Sequence, residues 1–134
     1  IEAKDAGADE AILTSTNGYI AEGPGENIFF VESGKLVTPS RSADILLGIT
    51  RDSIIKIAES MGLDTEEREV HKEEAYICDE AFFAGTAAEI TPIISIDSRA
   101  IGKGIGPVTK LLSTNYYNVV HGNSKEFSEW LTYV

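Results

Sequence analysis

The apolar positions of this chain come in short bursts over its first forty residues and then widen to a helical spacing. Ala11 to Thr14 and Gly18 to Ala21 read as short strands around Ser15-Thr16-Asn17-Gly18, because Asn-Gly supplies the left-handed residues a tight hairpin needs. Ile28 to Val31 and Lys35 to Val37 repeat the arrangement around Glu32-Ser33-Gly34. Between the pairs lies Glu22-Gly23-Pro24-Gly25-Glu26-Asn27, where a proline between two glycines continues neither a helix nor a ladder. The backbone must turn there, in a corner carrying two carboxylates and an amide.

Thr38-Pro39-Ser40-Arg41-Ser42 reads as loop and Ala43 to Leu47 as a short turn. Arg51 to Met61 then places Ile54, Ile57, Ala58 and Met61 on one helical face, with Thr50 as N-cap and Gly62 as stop. Leu63 to Val70 has the charge of an edge strand, Lys72 to Ile77 is a short helix, and Glu80 to Ala84 is a compact strand ending at Gly85-Thr86-Ala87-Ala88-Glu89. Ile90 to Ile96, interrupted by Pro92, forms a hairpin with Arg99 to Ile101. After the loop Gly102 to Gly106, Pro107 suits the first position of a helix reaching about Val120, with Val108, Leu111, Leu112, Tyr116, Val119 and Val120 on its apolar face. The aromatic tail Phe127 to Val134 is expected to pack on the body. Strands in adjacent pairs with helices between them predict a mixed α/β fold: a largely antiparallel sheet with helices packed around it.

Length and composition narrow the function classes. A chain of 134 residues is one domain, 1–134, large enough for its own core. Its opening, Ile1 to Gly7, reads as the last turns of a helix and marks the chain as a fragment. Hydrophobic content of 43% without an apolar run near the ~20 residues of a bilayer span predicts no membrane segment. Eleven basic against twenty-two acidic residues give a net charge of -11, which disfavours nucleic-acid partners. Cys78, the single cysteine, forms no internal disulfide, fits a reducing cytoplasmic setting, and is expected to act as a small buried hydrophobe.

Three loops could carry chemistry. The Glu22 to Asn27 corner offers carboxylates, Gly48-Ile49-Thr50 offers amides at a helix start, and Gly85-Thr86-Ala87 offers a small-residue turn after a strand. A helix start with a hydroxyl beside it binds phosphate through oriented amides and the helix dipole. Singly, each has a plainer explanation as a cap or a turn. No dinucleotide fingerprint or Walker lysine motif is present, and His71 and His121 lack metal-ligand spacing, so no metal is expected and each reads as a surface or cap histidine.

The loops fall together in one resemblance. Gly18-Tyr19-Ile20-Ala21-Glu22-Gly23-Pro24-Gly25-Glu26-Asn27-Ile28-Phe29, Thr38-Pro39, Leu47-Gly48-Ile49-Thr50-Arg51-Asp52, Phe83 to Pro92 and Gly106-Pro107-Val108-Thr109 resemble, in order, the C-terminal domain of branched-chain amino-acid aminotransferases. These are fold-type IV enzymes that use pyridoxal 5'-phosphate (PLP). The resemblance implies that Glu22 pairs with the pyridine nitrogen of PLP, that Leu46 packs on its ring, and that Gly48, Ile49, Thr50 and Thr86 hold its phosphate. It implies that Thr86 and Ala87 face the substrate carboxylate, with Glu26, Asn27 and Arg51 as structural supports. The Schiff-base lysine of the family lies upstream of Ile1, so no catalytic residue is expected in the chain, and the lobe alone is expected to be inactive. The implied parent exchanges amino groups between leucine, isoleucine or valine and 2-oxoglutarate, as a cytoplasmic homodimer or larger homo-oligomer completed by an N-terminal domain. D-amino-acid aminotransferase, aminodeoxychorismate lyase and a non-catalytic phosphate-binding domain are the competing readings.

Overall fold

The computed structural model describes residues 12–14, 18–23, 26–40, 48–85, 89–97, 99–102 and 105–120. The elements are β1 (Leu13–Thr14), β2 (Ile20–Gly23), β3 (Glu26–Glu32), β4 (Lys35–Pro39), α1 (Ile49–Ser60), β5 (Thr65–Arg68), α2 (Lys72–Ile77), β6 (Glu80–Gly85), β7 (Glu89–Ile93), β8 (Ser95–Ile96), β9 (Arg99–Ala100) and α3 (Pro107–Val120). The first seven strands form one sheet and β8 pairs with β9 alone. The expected mixed α/β fold is what forms: every pairing is antiparallel except β4 with β5.

The sheet is built around β3. One of its edges pairs with β6 from Asn27 to Val31, and β7 lies outside β6. Its other edge is shared, with β2 meeting Glu26 and Asn27 while β4 meets Phe30 to Glu32. Alternate side chains of such a strand point to opposite faces. Ile28 and Phe30 therefore join Val37, Val70, Ala75, Cys78 and Phe83 in one core, and Phe29 and Val31 join Leu36, Ile54, Ile57, Phe82 and Leu112 in another. Phe29 stacks on Phe82 at 5.0 Å between ring centroids. Losing one such fully buried phenylalanine to alanine costs about 3–5 kcal/mol. The first core lies under α2, and α1 with α3 covers the second.

Turn chemistry follows the residues. Ser33 and Gly34 both adopt positive φ, 51° and 80°, as a two-residue hairpin turn requires, and Gly62 does so at 77° where it stops α1. His71 stands at the N-cap of α2, its N–H donating to Glu74 Oε2 at 2.7 Å, so it is the expected surface or cap residue. Cys78 is buried and its thiol is pushed up to about 12, by burial first and then by the charges of Glu32 and Asp79.

Some expectations need correction. Thr38 and Pro39 are not loop: both are buried in β4, where Thr38 Oγ1 donates to the Ile28 carbonyl at 2.8 Å and β5 pairs in parallel. Pro92 does not interrupt its strand, since β7 pairs only with β6 among the described residues and an edge strand tolerates a missing N–H. Leu111 and Val120 are exposed, while Thr109 joins the buried face of α3, because that face runs through Leu112 and Val119. The expectations for Ile1 to Gly7, Ala43 to Leu47 and Phe127 to Val134 fall outside the described residues.

Candidate functional site

The topology brings the three loops to one end of the sheet. Asn27 is the reason: it is the register partner of Glu22 on β2 and of Ala84 on β6, so the corner and the end of β6 lie on either side of it. Gly23 pairs with Glu26, which narrows the corner from the expected six-residue turn to residues 24 and 25. On the β6 side, Gly85 pairs with Glu89 and brackets residues 86–88. Asn27 is buried, and a Cβ added at Gly48 would lie 3.2 Å from its Oδ1. Gly48 thus lets the start of α1 close onto the same asparagine.

Gly48, with extended backbone, is the N-cap of α1. Thr50, expected in that role, is instead the second helical residue. The chain reaches helical geometry two residues earlier because Gly48 already accepts the Asp52 N–H at 3.2 Å. Gly48 has no side chain, and among the described residues no side-chain cap at this helix start is seen. The first amides of an α-helix have no carbonyl partner within it, and together they carry about half a positive charge. Ile49, at the first position, is 87% exposed. Thr50 is buried, and its Oγ1 lies 3.4 Å from the hydroxyl of Tyr116 on α3.

Arg51 turns the other way. It is 2% exposed, and its Nη2 donates to the Pro39 carbonyl at 3.1 Å and to Glu67 Oε1 at 2.6 Å. Its Nη1 lies 3.8 Å from Asp52. Arg51 therefore fastens the first turn of α1 to the ends of β4 and β5, the supporting role the sequence suggested. Glu67 itself is half-exposed, so solvent screens this pair.

The structure thus brings together Glu22 by its backbone, Asn27, Gly48, Ile49 and Thr50; Leu46, Thr86 and Ala87 lie outside the described residues. Two supports went unforeseen. Tyr116 lies on the predicted apolar face of α3, and a half-buried tyrosine there calls for a hydroxyl partner. Glu80 opens β6 as its pattern predicts, yet its carboxylate also accepts the N–H of Val108 at 3.2 Å and of Thr109 at 2.7 Å, capping α3. Among the described residues no cluster of His, Cys, Asp or Glu could hold a metal ion, and no helix is long and apolar enough to cross a membrane.

Loops that converge at one end of a sheet are where ligand sites are commonly built. Comparison with known proteins supplies the family. The model of amino-transferase class IV matches residues 1–96, and the chain belongs to that family. It is 48% identical over 133 residues to a probable branched-chain-amino-acid aminotransferase of Aquifex aeolicus, covering 98% of this chain and 43% of that relative. The branched-chain-amino-acid aminotransferase of Pseudomonas aeruginosa is 47% identical over 134 residues, with 99% and 43% covered. Among solved structures, the branched-chain aminotransferase of Thermobaculum terrenum in PLP-form superimposes with a TM-score of 0.95 at 47% identity, covering 98% of this chain and 43% of that one. That of Thermoproteus uzoniensis with norvaline gives 0.93 at 46% identity, again covering 98% and 43%. The chain spans less than half the length of these relatives.

Proposed function

We propose that this chain is the PLP-binding lobe of a branched-chain amino-acid aminotransferase, exchanging amino groups between leucine, isoleucine or valine and 2-oxoglutarate. The observation that carries this reading is the convergence on Asn27 of the Glu22 corner, the α1 start and the end of β6, in a chain 47–48% identical to relatives bearing that name.

The residues fit the cofactor. Its phosphate is a small dianion, and the α1 start offers helix amides behind a glycine N-cap that has no side chain, together with the Thr50 hydroxyl. Ile49 and Thr50 would hold the phosphate through these groups, with Thr86 as a further contact. Glu22 would keep the pyridine nitrogen protonated, Leu46 would pack on the ring, and the turn at Thr86 and Ala87 would orient the substrate carboxylate. Bound PLP supplies an electron sink for the substrate's α-carbon. The protein's share is orientation: Gly48 and Asn27 set the distance between the corner and the helix, and Arg51 fixes the first turn of α1 from behind. The family's lysine has no counterpart at the matched positions, so the 134 residues alone are proposed to be inactive and to work with an N-terminal domain. A cytoplasmic homo-oligomer is the proposed setting; the free thiol of Cys78 fits the reducing compartment.

Transamination assays with PLP test the reading. The full-length protein containing this chain is expected to convert L-leucine and 2-oxoglutarate to glutamate, and the 134-residue chain alone is expected not to. Activity confined to D-alanine, or activity of the isolated chain, would overturn the assignment.

A further inference from the structure

The helix α3 is tied to the molecule at two points. At its first turn the Glu80 carboxylate, on a residue 5% exposed, accepts the Val108 and Thr109 amides. Gly106 leaves the room, since a Cβ there would lie 2.1 Å from the Glu80 carboxyl carbon. Leu112 and Val119 then seat the helix in the core with Phe29, Ile54 and Phe82. This fixes its rotation and height, and so the place of Tyr116 between those two anchors. The Tyr116 hydroxyl reaches Thr50 Oγ1, at the second position of α1.

A threonine hydroxyl carries one proton and can accept a hydrogen bond while donating another. A phenol that donates to its oxygen leaves that proton for an outside acceptor. We infer that Tyr116 is a positioning residue for the cofactor phosphate, donating to Thr50 Oγ1 so that Thr50 donates to a phosphate oxygen. This rests on the phosphate site proposed above. The separation of 3.4 Å is long for an O–H···O bond, and hydrogen bonds of working sites commonly tighten in the bound complex. The contact is therefore expected to be worth more with phosphate present than without it.

The test compares affinity for PLP with affinity for pyridoxal, which lacks the phosphate, in the full-length protein stripped of cofactor. Tyr116→Phe keeps the ring and its packing. It is expected to weaken PLP binding by about 3- to 10-fold, the worth of one neutral hydrogen bond, while pyridoxal affinity stays within about twofold. Its cofactor-free melting temperature should stay within about 1 °C of the parent. Thr50→Val is expected to weaken PLP at least as much, and Thr50→Val with Tyr116→Phe to be no worse than Thr50→Val alone, because one residue acts through the other. Equal losses for PLP and pyridoxal, or additive losses in the double variant, would show that Tyr116 acts by packing and overturn the inference. A PLP loss in Thr50→Val with none in Tyr116→Phe would overturn it while leaving the phosphate site standing. An unchanged PLP affinity in Thr50→Val would overturn the phosphate site and the inference together.

Discussion

The two ends of β3 are built on opposite principles. At the Glu32 end the charges are joined: Arg68 bonds Glu32 at 2.6 Å, Glu66 at 3.1 Å and Glu74 at 2.7 Å, and Lys35 lies 3.5 Å from Glu66. The Ser33 N–H donates to Asp79 there, and Glu80, paired with Val31, caps α3. At the Asn27 end the same strand meets Gly48 and a helix start that, among the described residues, has no side-chain cap. A folded chain pairs nearly all its buried polar groups, so donors held ready at one end and satisfied at the other separate a binding site from its scaffold.

Substitutions at the two ends should therefore fail differently. The largest effect is expected from Glu80→Ala at the scaffold end, which takes the acceptor from two helix amides, one of them buried, and should lower stability by about 3 kcal/mol in urea unfolding. An unchanged urea midpoint would remove Glu80 from the scaffold. Next comes Gly48→Val at the site end. Its side chain must press on Asn27 Oδ1, and it is expected to weaken PLP binding at least tenfold, or about 1.4 kcal/mol, with a stability loss of only about 1 kcal/mol. A variant that stays folded and binds PLP normally but loses several kcal/mol of stability would erase the distinction between the ends.

The smallest and most diagnostic pair lies around Arg68. Burial, then the charge of Glu74, raises Glu32 above the usual carboxylate range. Burial pushes Glu74 up as well, but hydrogen bonds from Arg68 and the His71 amide outweigh it and hold Glu74 low. A depressed carboxylate stabilises above its unfolded value of 4.5 and loses that contribution as pH falls through its folded value. A raised one stabilises below 4.5 and loses the contribution as pH rises through its folded value. At pH ~7, Glu74→Gln should cost about 1 kcal/mol and Glu32→Gln should be neutral or stabilising, and the gap between them should close toward pH ~4. Equal costs at both pH values would contradict this account of the cluster.

What the sequence could show followed from local rules. The Ser-Gly turn, the stop at Gly62, the short helix from Lys72 to Ile77 and the start at Pro107 each depend on a few neighbouring residues. The place of β3 and β6 in the middle of the sheet was hidden. Strands buried on both faces, Ile28-Phe29-Phe30-Val31 and Ala81-Phe82-Phe83-Ala84, lose the alternation that would reveal them. Thr38 and Pro39 joined a strand because distant Glu67 and Arg68 pair with them, and Glu80 became a cap because Gly106 stands against it. The site was legible as three loops with matching character. Their meeting at Asn27 was not, because cross-strand register and the contact with Gly48 are long-range facts.

Hydrogen–deuterium exchange of the full-length protein, with and without PLP, tests the central claim most directly by reading both ends of β3 in one experiment. PLP is expected to slow exchange in peptides covering the Glu22 to Asn27 corner and the amides of Ile49 to Asp52, and to leave Thr65 to Glu74 unchanged. Protection centred on the Arg68 cluster, or none at the start of α1, would contradict the assignment of the site.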